Sequence, residues 1–566
     1  MTFAAAKFRG FLPAATFAMV VEFLMGLSDS VIAGHIVGED GLSAVNLMQP
    51  MMNLVSFFAL MIGLGTSVLY TKEMGRFDKR RASELLSQGL WSSLGLGALL
   101  LAGMYLFQRQ VVSSFGVQGA VLDGVNAYWR WFAPCAVLEP VAFLLSSMCY
   151  ADGDGRICIV SYVGQLIGNC LVSVPLTMGM GLAGCALGTC VGNVVAICIL
   201  SMHFRSKGNS LAFVRHFDIR DTARICACSA GDASIRLCYA LLFYSLNLFV
   251  VAKFGAERLP ILAVVIAVMG LSEAFDGVAN AAQPLVGVYI GERNDRLIGR
   301  IMGYAFKVSV AEGIALCATL LVFPQLAVKL VGIDDPGVYH AALNAVRIVS
   351  LGLVGTAVAM LFNSYYTFIG RIFLATALTV LATFVAPIVL FPTLGLAFGE
   401  TGVWLAMALS PYVALGVTAW ILLAKWGKSA FPYFLDRARA RRIRVYDLTL
   451  DDKSVCDLSQ KVEKFLMSRK SMDKRRAGLS ALLLEEVLMA VKDRNGSRRT
   501  HAEVTLDLGE GCLFVTRDDG EIFDITDADA KVSSLRSYLV SNLMTAIPAR
   551  RNMTTTGFNR NAFRIC

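Results

Sequence analysis

Twelve apolar runs, separated by short polar gaps, occupy the first three quarters of the chain. Each is near the ~20 residues a helix needs to cross the hydrocarbon core of a bilayer. They predict spans over 11–35, 43–70, 84–107, 126–150, 157–178, 181–203, 226–253, 260–290, 303–325, 341–368, 372–395 and 400–425. Several hold internal Gly or Pro, which a span tolerates where neighbouring helices satisfy the freed backbone groups. From about residue 426 the pattern changes, and no later run is long enough to span. Arg444–Leu450 alternates like a strand, and 453–468 and 474–493 read as helices. Ala502–Leu508 and Cys512–Thr516 read as a strand pair joined at Gly509–Gly511, Ser533–Met544 as a helix and Phe558–Ile565 as a last strand.

Composition agrees with a membrane chain. Of 566 residues, 56% are hydrophobic and 16% charged, against about 25% charged in soluble domains. The first apolar run leads straight into a long span with no small-residue cleavage site, so it is not read as a signal peptide. The 14 Cys show neither CxxC pairs nor metal spacing with His, and many lie inside apolar runs, where Cys acts as a small hydrophobe.

Charge sets the expected orientation. Lys72, Arg76, Lys79, Arg80 and Arg81 fill one loop, Arg205, Lys207, Arg215, Arg220 and Arg224 a second, and Arg293, Arg296 and Arg300 a third. The alternating loops are poor: 36–42 and 396–399 hold no Lys or Arg, and 108–125 holds Arg109. Basic loops stay in the cytoplasm, which puts both termini there, in a cell (inner) membrane. The net charge of +9 belongs to these loops and the tail, not to a nucleic-acid surface. Arg437, Arg439, Arg441 and Arg442 form a basic linker, solvated or against anionic lipid headgroups.

The first six spans resemble the second six. Gly75-Arg-Phe-Asp-Lys-Arg80 follows the second span and Gly291-Glu-Arg-Asn-Asp-Arg296 the eighth, 216 residues later. Gly155-Arg156-Ile157 follows the fourth and Gly370-Arg371-Ile372 the tenth, 215 residues later. A six-plus-six duplication inserts both halves the same way up, around a cavity that suits alternating access. The expected fold class is therefore an all-α polytopic membrane protein of two six-helix lobes, related by a pseudo-twofold along the membrane normal, with a C-terminal α+β two-layer domain. The expected boundaries are 1–215 and 216–428 for the lobes, 429–442 for the linker and 443–566 for the domain.

Several motifs carry a family resemblance. Asp29-Ser-Val-Ile-Ala-Gly34, Gly38–Ala44 with Pro50, Gly63-Leu-Gly65 before the Gly75 loop, Asp152-Gly153 with Gly155-Arg156 and Asn169, and Gln283-Pro284-Leu285 before Gly291 stand in order. Residues 10–425 thereby resemble the multidrug and toxic compound extrusion (MATE) family. That resemblance implies a two-lobe antiporter, not an enzyme, which expels small organic substrates in exchange for H⁺ or Na⁺. A lipid-linked sugar flippase of the same superfamily is the alternative, although flippases often carry more cationic residues in the cavity.

Ionisable groups at membrane depth are costly and point to function. Asp29 matches the first-span carboxylate that the family uses for cation binding. Glu22 lies two turns earlier on roughly the same face. The resemblance also places Asn169, Thr189 and Asn193 as neutral ligands around Asp29, with Ser173 where relatives often have a second Asp. In the second half, Asp232 and Arg236 have salt-bridge spacing. Glu273 and Asp276, three residues apart, share a helical face and could share a proton or cation.

The tail resembles the GHKL ATP-binding fold of small anti-sigma-factor kinases. Glu485 and Met489 occupy a Glu-x-x-x-Asn pattern, Asp518-Asp519-Gly520 an adenine-reading box, and Gly557 a later glycine element. The resemblance implies ATP as a ligand. Met489 replaces the Mg²⁺-binding Asn, and a thioether is a poor ligand for a hard cation. The tail is expected to be a degenerate nucleotide-binding regulatory module, or the seat of a cytoplasmic regulatory protein. A membrane-bound sensor kinase, the third reading, needs intact nucleotide boxes and a phosphoacceptor His; none of the 5 His lies in a convincing acceptor helix.

Reporter fusions and cysteine accessibility should place residue 566 and the 71–83 loop on the cytoplasmic side; an external residue 566 would overturn both the orientation and the span count.

Overall fold

The computed structural model describes residues 2–75, 79–152, 154–205, 211–333, 335–427, 432–468, 473–507, 513–521, 536, 538–540, 542–543, 549–551 and 559–564. Among them, ten helices are long and apolar enough to cross a membrane, or up to twelve if each of two bent helix pairs is one span. Each coincides with one predicted apolar run.

The first half begins with α1 (Phe3–Ile36), α2 (Glu39–Gly75) and α3 (Lys79–Ser114). The fourth span is the pair α4 (Gly119–Phe132) and α5 (Cys135–Ala151), bent by 49°. Pro134 stands at the break, where its missing N–H and its ring interrupt the helical ladder. Then come α6 (Gly155–Met180) and α7 (Leu182–Ser201).

The second half opens with α8 (Ile219–Phe254). Its next span combines α9 (Leu259–Gly270), a 3₁₀ turn at Leu271–Phe275 and α10 (Asp276–Gly291). Next come α11 (Asp295–Val322) and the short α12 (Gln325–Val331). The pair α13 (Pro336–Ser350) and α14 (Leu353–Phe368) is bent by 43° at Leu351-Gly352. A π turn at Leu381–Val385 joins α15 (Ile372–Val380) to α16 (Ala386–Phe398). α17 (Glu400–Trp426) is the last span. The two bends fall in the fourth and tenth spans.

The chain divides into two compact units: residues 14–279 with 306–421, and residues 1–13 with 280–305 and 422–566. The first is the helical bundle. Its helices meet through small residues, as membrane helices do when close backbone approach replaces hydrophobic drive. A Cβ on Gly65 of α2 would lie 2.1 Å from the Ile225 carbonyl oxygen of α8.

The second unit holds the tail. After the short α18 (Arg437–Arg442) come β1 (Arg444–Thr449), α19 (Asp452–Met467), α20 (Lys474–Asn495), β2 (His501–Asp507), β3 (Leu513–Asp518), β4 (Ala549–Arg551) and β5 (Asn559–Arg564). The strands expected around 444–450, 502–508, 512–516 and 558–565 are present, and β4 adds a strand that the alternation does not predict. The expected helix at 533–544 falls mostly outside the described residues. In the basic linker, Arg439 pairs with Asp295 at 3.3 Å, while Arg441 and Arg442 are exposed.

The sheet is antiparallel, in the order β1-β2-β3-β5-β4. Strand side chains alternate between faces. Ala502, Val504, Leu506, Phe514 and Phe563 pack with Val455, Leu458, Leu484 and Leu488 of α19 and α20. The opposite face carries Glu503, Thr505 and Arg517, and it is also buried. There Arg517, opposite Glu503 in register, bonds to it at 2.8 Å. The same guanidinium pairs with Glu292 and lies 5.0 Å from the ring centroid of Tyr289. Arg296 donates to the Ile443 carbonyl at 2.8 Å, and Arg300 pairs with Asp447 at 3.3 Å. The Phe3 amide also donates to Asp447, at 2.8 Å. One sheet face therefore builds the tail's own core, and the other is covered by the connection between α10 and α11.

Arg517→Met removes the cation shared by two buried carboxylates. Breaking a buried ion pair from one side costs about 3–5 kcal/mol, so the purified variant should show a clearly lowered melting midpoint; an unchanged midpoint would show that the cluster contributes little.

Candidate functional site

α7 carries Gly184, Gly188 and Gly192 at four-residue spacing, one stripe down the helix. A Cβ on Gly188 would lie 1.8 Å from Ser173 Oγ, one on Gly184 2.2 Å from the Leu176 carbonyl carbon, and one on Gly192 2.9 Å from the Gln165 oxygen. The stripe lets α6 lie against the α7 backbone. That approach brings Asn169 and Ser173 beside Thr189 and turns all three toward α1.

Asp29 of α1 is 5% exposed at the centre of this group. Tyr128 of α4 donates to its Oδ2. Thr189 donates to the same oxygen at 2.7 Å, and Asn169 Nδ2 approaches Oδ1 at 3.4 Å. Ser173 donates to Asn169 Oδ1 at 2.6 Å, which turns the amide nitrogen toward the carboxylate. The residue that departs from the family pattern thus orients the one that follows it. Asn193 stands a shell further out, donating to the Thr189 carbonyl at 3.1 Å and accepting from Gln165 at 3.2 Å. Tyr128 is not a candidate from sequence; nothing local marks it, because α4 reaches Asp29 only through the fold.

Two cavities open beside Asp29, of about 210 and 190 Å³. Asp29, Asn169, Thr189 and Asn193 line the larger. Both are lined by Gly26, Met52, Ser56, Arg236 and Glu273. Arg236 pairs with Glu273 at 3.2 Å, while the side chain of Asp232, its expected companion, lies outside the described residues. Asp276 begins α10 and lines neither cavity. The 3₁₀ turn that holds Glu273 ends at Phe275, so the pair does not sit on one continuous α-helical face. Glu22 lies on α1, with its side chain outside the described residues.

The larger cavity has one more acid. Glu139, in the helix after Pro134, lines it and accepts from Ser56 at 2.5 Å. Glu312 of α11 is another acid in a span, and its Oε2 has no hydrogen-bond partner among the described residues. The signal for both is an acid inside an apolar run.

α8 is tied to the first half near both of its ends. Toward its start, Arg81 of α3 meets Asp221 at 2.6 Å, and Gln88 donates to Thr222 at 2.7 Å. Burial pushes the Asp221 carboxyl up, yet Arg81 and His216 outweigh it and hold the group below the usual carboxylate range. Toward its other end, Asn46 of α2 donates to Asn247 at 3.0 Å, and Ser114 bonds Tyr244 at 2.8 Å.

In the tail, Glu485 is half-buried on α20, and Met489, one turn later, packs against the domain core. Asp518, 1% exposed at the end of β3, accepts from the Gly520 amide at 3.1 Å. A Cβ on Gly520 would lie 2.2 Å from Asn495 Nδ2, so the backbone there is closely covered. Gly557 lies outside the described residues.

Residues 14–178 and 233–393, together more than half of the chain, match the MatE family model. The chain is similar to the multidrug export protein MepA of Staphylococcus haemolyticus, 22% identical over 398 residues, or 68% of this chain and 85% of the relative. MepA of Staphylococcus saprophyticus is 22% identical over 423 residues, 72% and 91% of the two chains. In fold, the chain is similar to an inward-facing multidrug resistance MATE family transporter of the MOP superfamily, with a TM-score of 0.65 at 21% identity over 70% of this chain and 92% of that one. It is also similar to an outward-facing multidrug resistance MATE family transporter of the same superfamily, with a TM-score of 0.60 at 20% identity over 73% and 93%.

Proposed function

Since the chain belongs to the MatE family, whose members are transporters and not enzymes, we propose that it is a multi-pass antiporter exporting organic, cationic or amphiphilic compounds in exchange for H⁺ or Na⁺. The observation that carries this reading is Asp29. An acid buried among neutral donors beside a cavity can load and release a cation without a full countercharge. The two MepA relatives are named as multidrug export proteins, which supports drug-like cargo.

The donor set favours H⁺ as the coupling ion. Na⁺ prefers oxygen ligands, and here Asn169 Oδ1 is occupied by Ser173 while its nitrogen faces Asp29. Tyr128 and Thr189 meet Asp29 with hydroxyls, which donate to the charged carboxylate and can accept from the protonated acid, so they can follow it between the two forms. Glu139, Glu273 and Asp276 are further acids for cargo or ion; Glu139 and Glu273 line the cavity. Glu22 shares α1 with Asp29 and is proposed as a second carboxylate of the same path.

Alternating access fits two six-span lobes, 1–215 and 216–428, in the order the sequence suggests. The family match in two segments of similar length supports that duplication, as do bends in equivalent spans. Ties near both ends of α8 are suited to gates that break in turn. Basic loops favour cytoplasmic termini in a cell membrane.

The tail, residues 443–566, is proposed as a regulatory module with a degenerate nucleotide site of Glu485, Asp518, Gly520 and Gly557, or as a seat for a cytoplasmic protein. Met489 in the core supplies no oxygen for Mg²⁺, and the tight cover over Gly520 leaves its backbone little access.

In proteoliposomes, Asp29→Asn should abolish gradient-driven efflux of ethidium at normal expression and melting. Separate H⁺ and Na⁺ gradients on the wild type should assign the coupling ion to H⁺; undiminished efflux by the variant would remove Asp29 from the mechanism. The purified full chain should show weak or no ATP binding and no hydrolysis in a MgATP titration with phosphate release. Turnover near one per second, within the ordinary enzyme range of about 1–10³ per second, would refute the degenerate reading of the tail.

A further inference from the structure

The two cavities meet at Arg236. It lines both, and among the described residues no other Lys or Arg lines either. The acids of the linings are Asp29, Glu139 and Glu273. Asp29 is held by three donors, and Glu139 by Ser56. Glu273 is held by Arg236.

That pair is open to the cavity. The Arg236 and Glu273 side chains keep 25% and 31% of their exposure, unlike the fully enclosed Arg517 and Glu503 of the tail at 0% each. An ion pair that water still reaches is screened and weakly held, so another cation can replace one member of it. A guanidinium does not discharge at any accessible pH. Arg236 therefore remains a cation whether or not the cavity is filled. It shares the lining of the larger cavity with Glu139. Tyr239 and Phe243, stacked at 5.6 Å on the same helix, line the cavity next to it, and aromatic faces accept either a displaced guanidinium or an organic cation.

We propose that Arg236 is a tethered counter-ion, which the cationic group of a substrate displaces from Glu273, and that it restricts export to compounds carrying a single positive charge. This rests on the reading of the chain as an exporter of organic cations, and it adds the charge class of the cargo and the residue that sets it. With Arg236 present, a single incoming charge takes over Glu273 while the guanidinium turns to Glu139. A second charge on the same molecule meets the displaced Arg236 at Glu139, and the remaining acid of the lining, Asp29, is already held by three donors. When the cargo leaves, Arg236 returns to Glu273, so the empty carrier keeps that carboxylate paired.

Ethidium and propidium test this. They share one aromatic body, and propidium carries a second quaternary ammonium. Fluorescence titration of the purified full-length protein should give a wild type that binds ethidium at least about tenfold tighter than propidium, a difference of about 1.4 kcal/mol. Arg236→Gln should narrow that ratio by about tenfold, and Arg236→Lys should keep it. The charge-neutral double variant Arg236→Gln/Glu273→Gln guards against misfolding and should restore preference for the monocation. An Arg236→Gln protein that melts normally, binds ethidium and keeps the wild-type ratio overturns the role of Arg236 while leaving the exporter reading intact. So does one that melts normally and loses ethidium altogether, because Arg236 would then be part of the binding framework. A wild type that neither binds nor transports either dye overturns the exporter reading itself, and the proposal with it.

Discussion

A polar group carried to membrane depth loses most or all of its water, so it must be met by another group of the protein. The helical bundle is arranged around that requirement. Asp29 draws donors from α4, α6 and α7. Asn46 and Asn247 answer each other across α2 and α8. Glu139 takes the Ser56 hydroxyl, and Arg236 takes Glu273. All but the last of these bonds join helices that are not consecutive in sequence, so the polar residues help determine which helices are neighbours while the apolar ones determine only that they are in lipid. Close approach then depends on side chains being absent, as along the glycine stripe of α7.

The spans are legible in the sequence because length and hydropathy are local properties. All twelve predicted runs coincide with helices, two of them bent. Asn169 and Thr189 are legible through a resemblance, and they do reach Asp29. Tyr128 is not, since its approach depends on how α4 packs. Glu139 stands in an apolar run but carries no family motif. Asp232 and Arg236 have salt-bridge spacing on one helix; the side chain of Asp232 lies outside the described residues, and the contact of Arg236 with Glu273 reaches another element, which spacing along one helix does not reveal.

The tail shows a different limit. Its strands are readable from alternation, and alternation ordinarily means one buried face and one wet face. The face that should be wet holds Glu503, Thr505 and Arg517, all of them enclosed. Glu292, which closes the ion cluster, lies 211 residues before Glu503 in the chain. No window of sequence contains that pairing, and charged residues in a strand give no sign that they will meet a cover.

The covered sheet face bears on how such a chain could arise and be altered. Residues 1–13 and 280–305, which the tail's unit includes, are pieces of the same helices that continue to Asp29 and lead from Glu273. The tail's strands share their compact unit with those helical segments. Recombination that joined it to another carrier would bring Arg517 to a surface without Glu292 and Tyr289, and a carrier stripped of it would leave Glu292 and Tyr289 without the guanidinium they meet. Lineages that carry the fusion should therefore inherit both halves together, with compensating changes at the α10–α11 corner wherever the strand that faces it drifts.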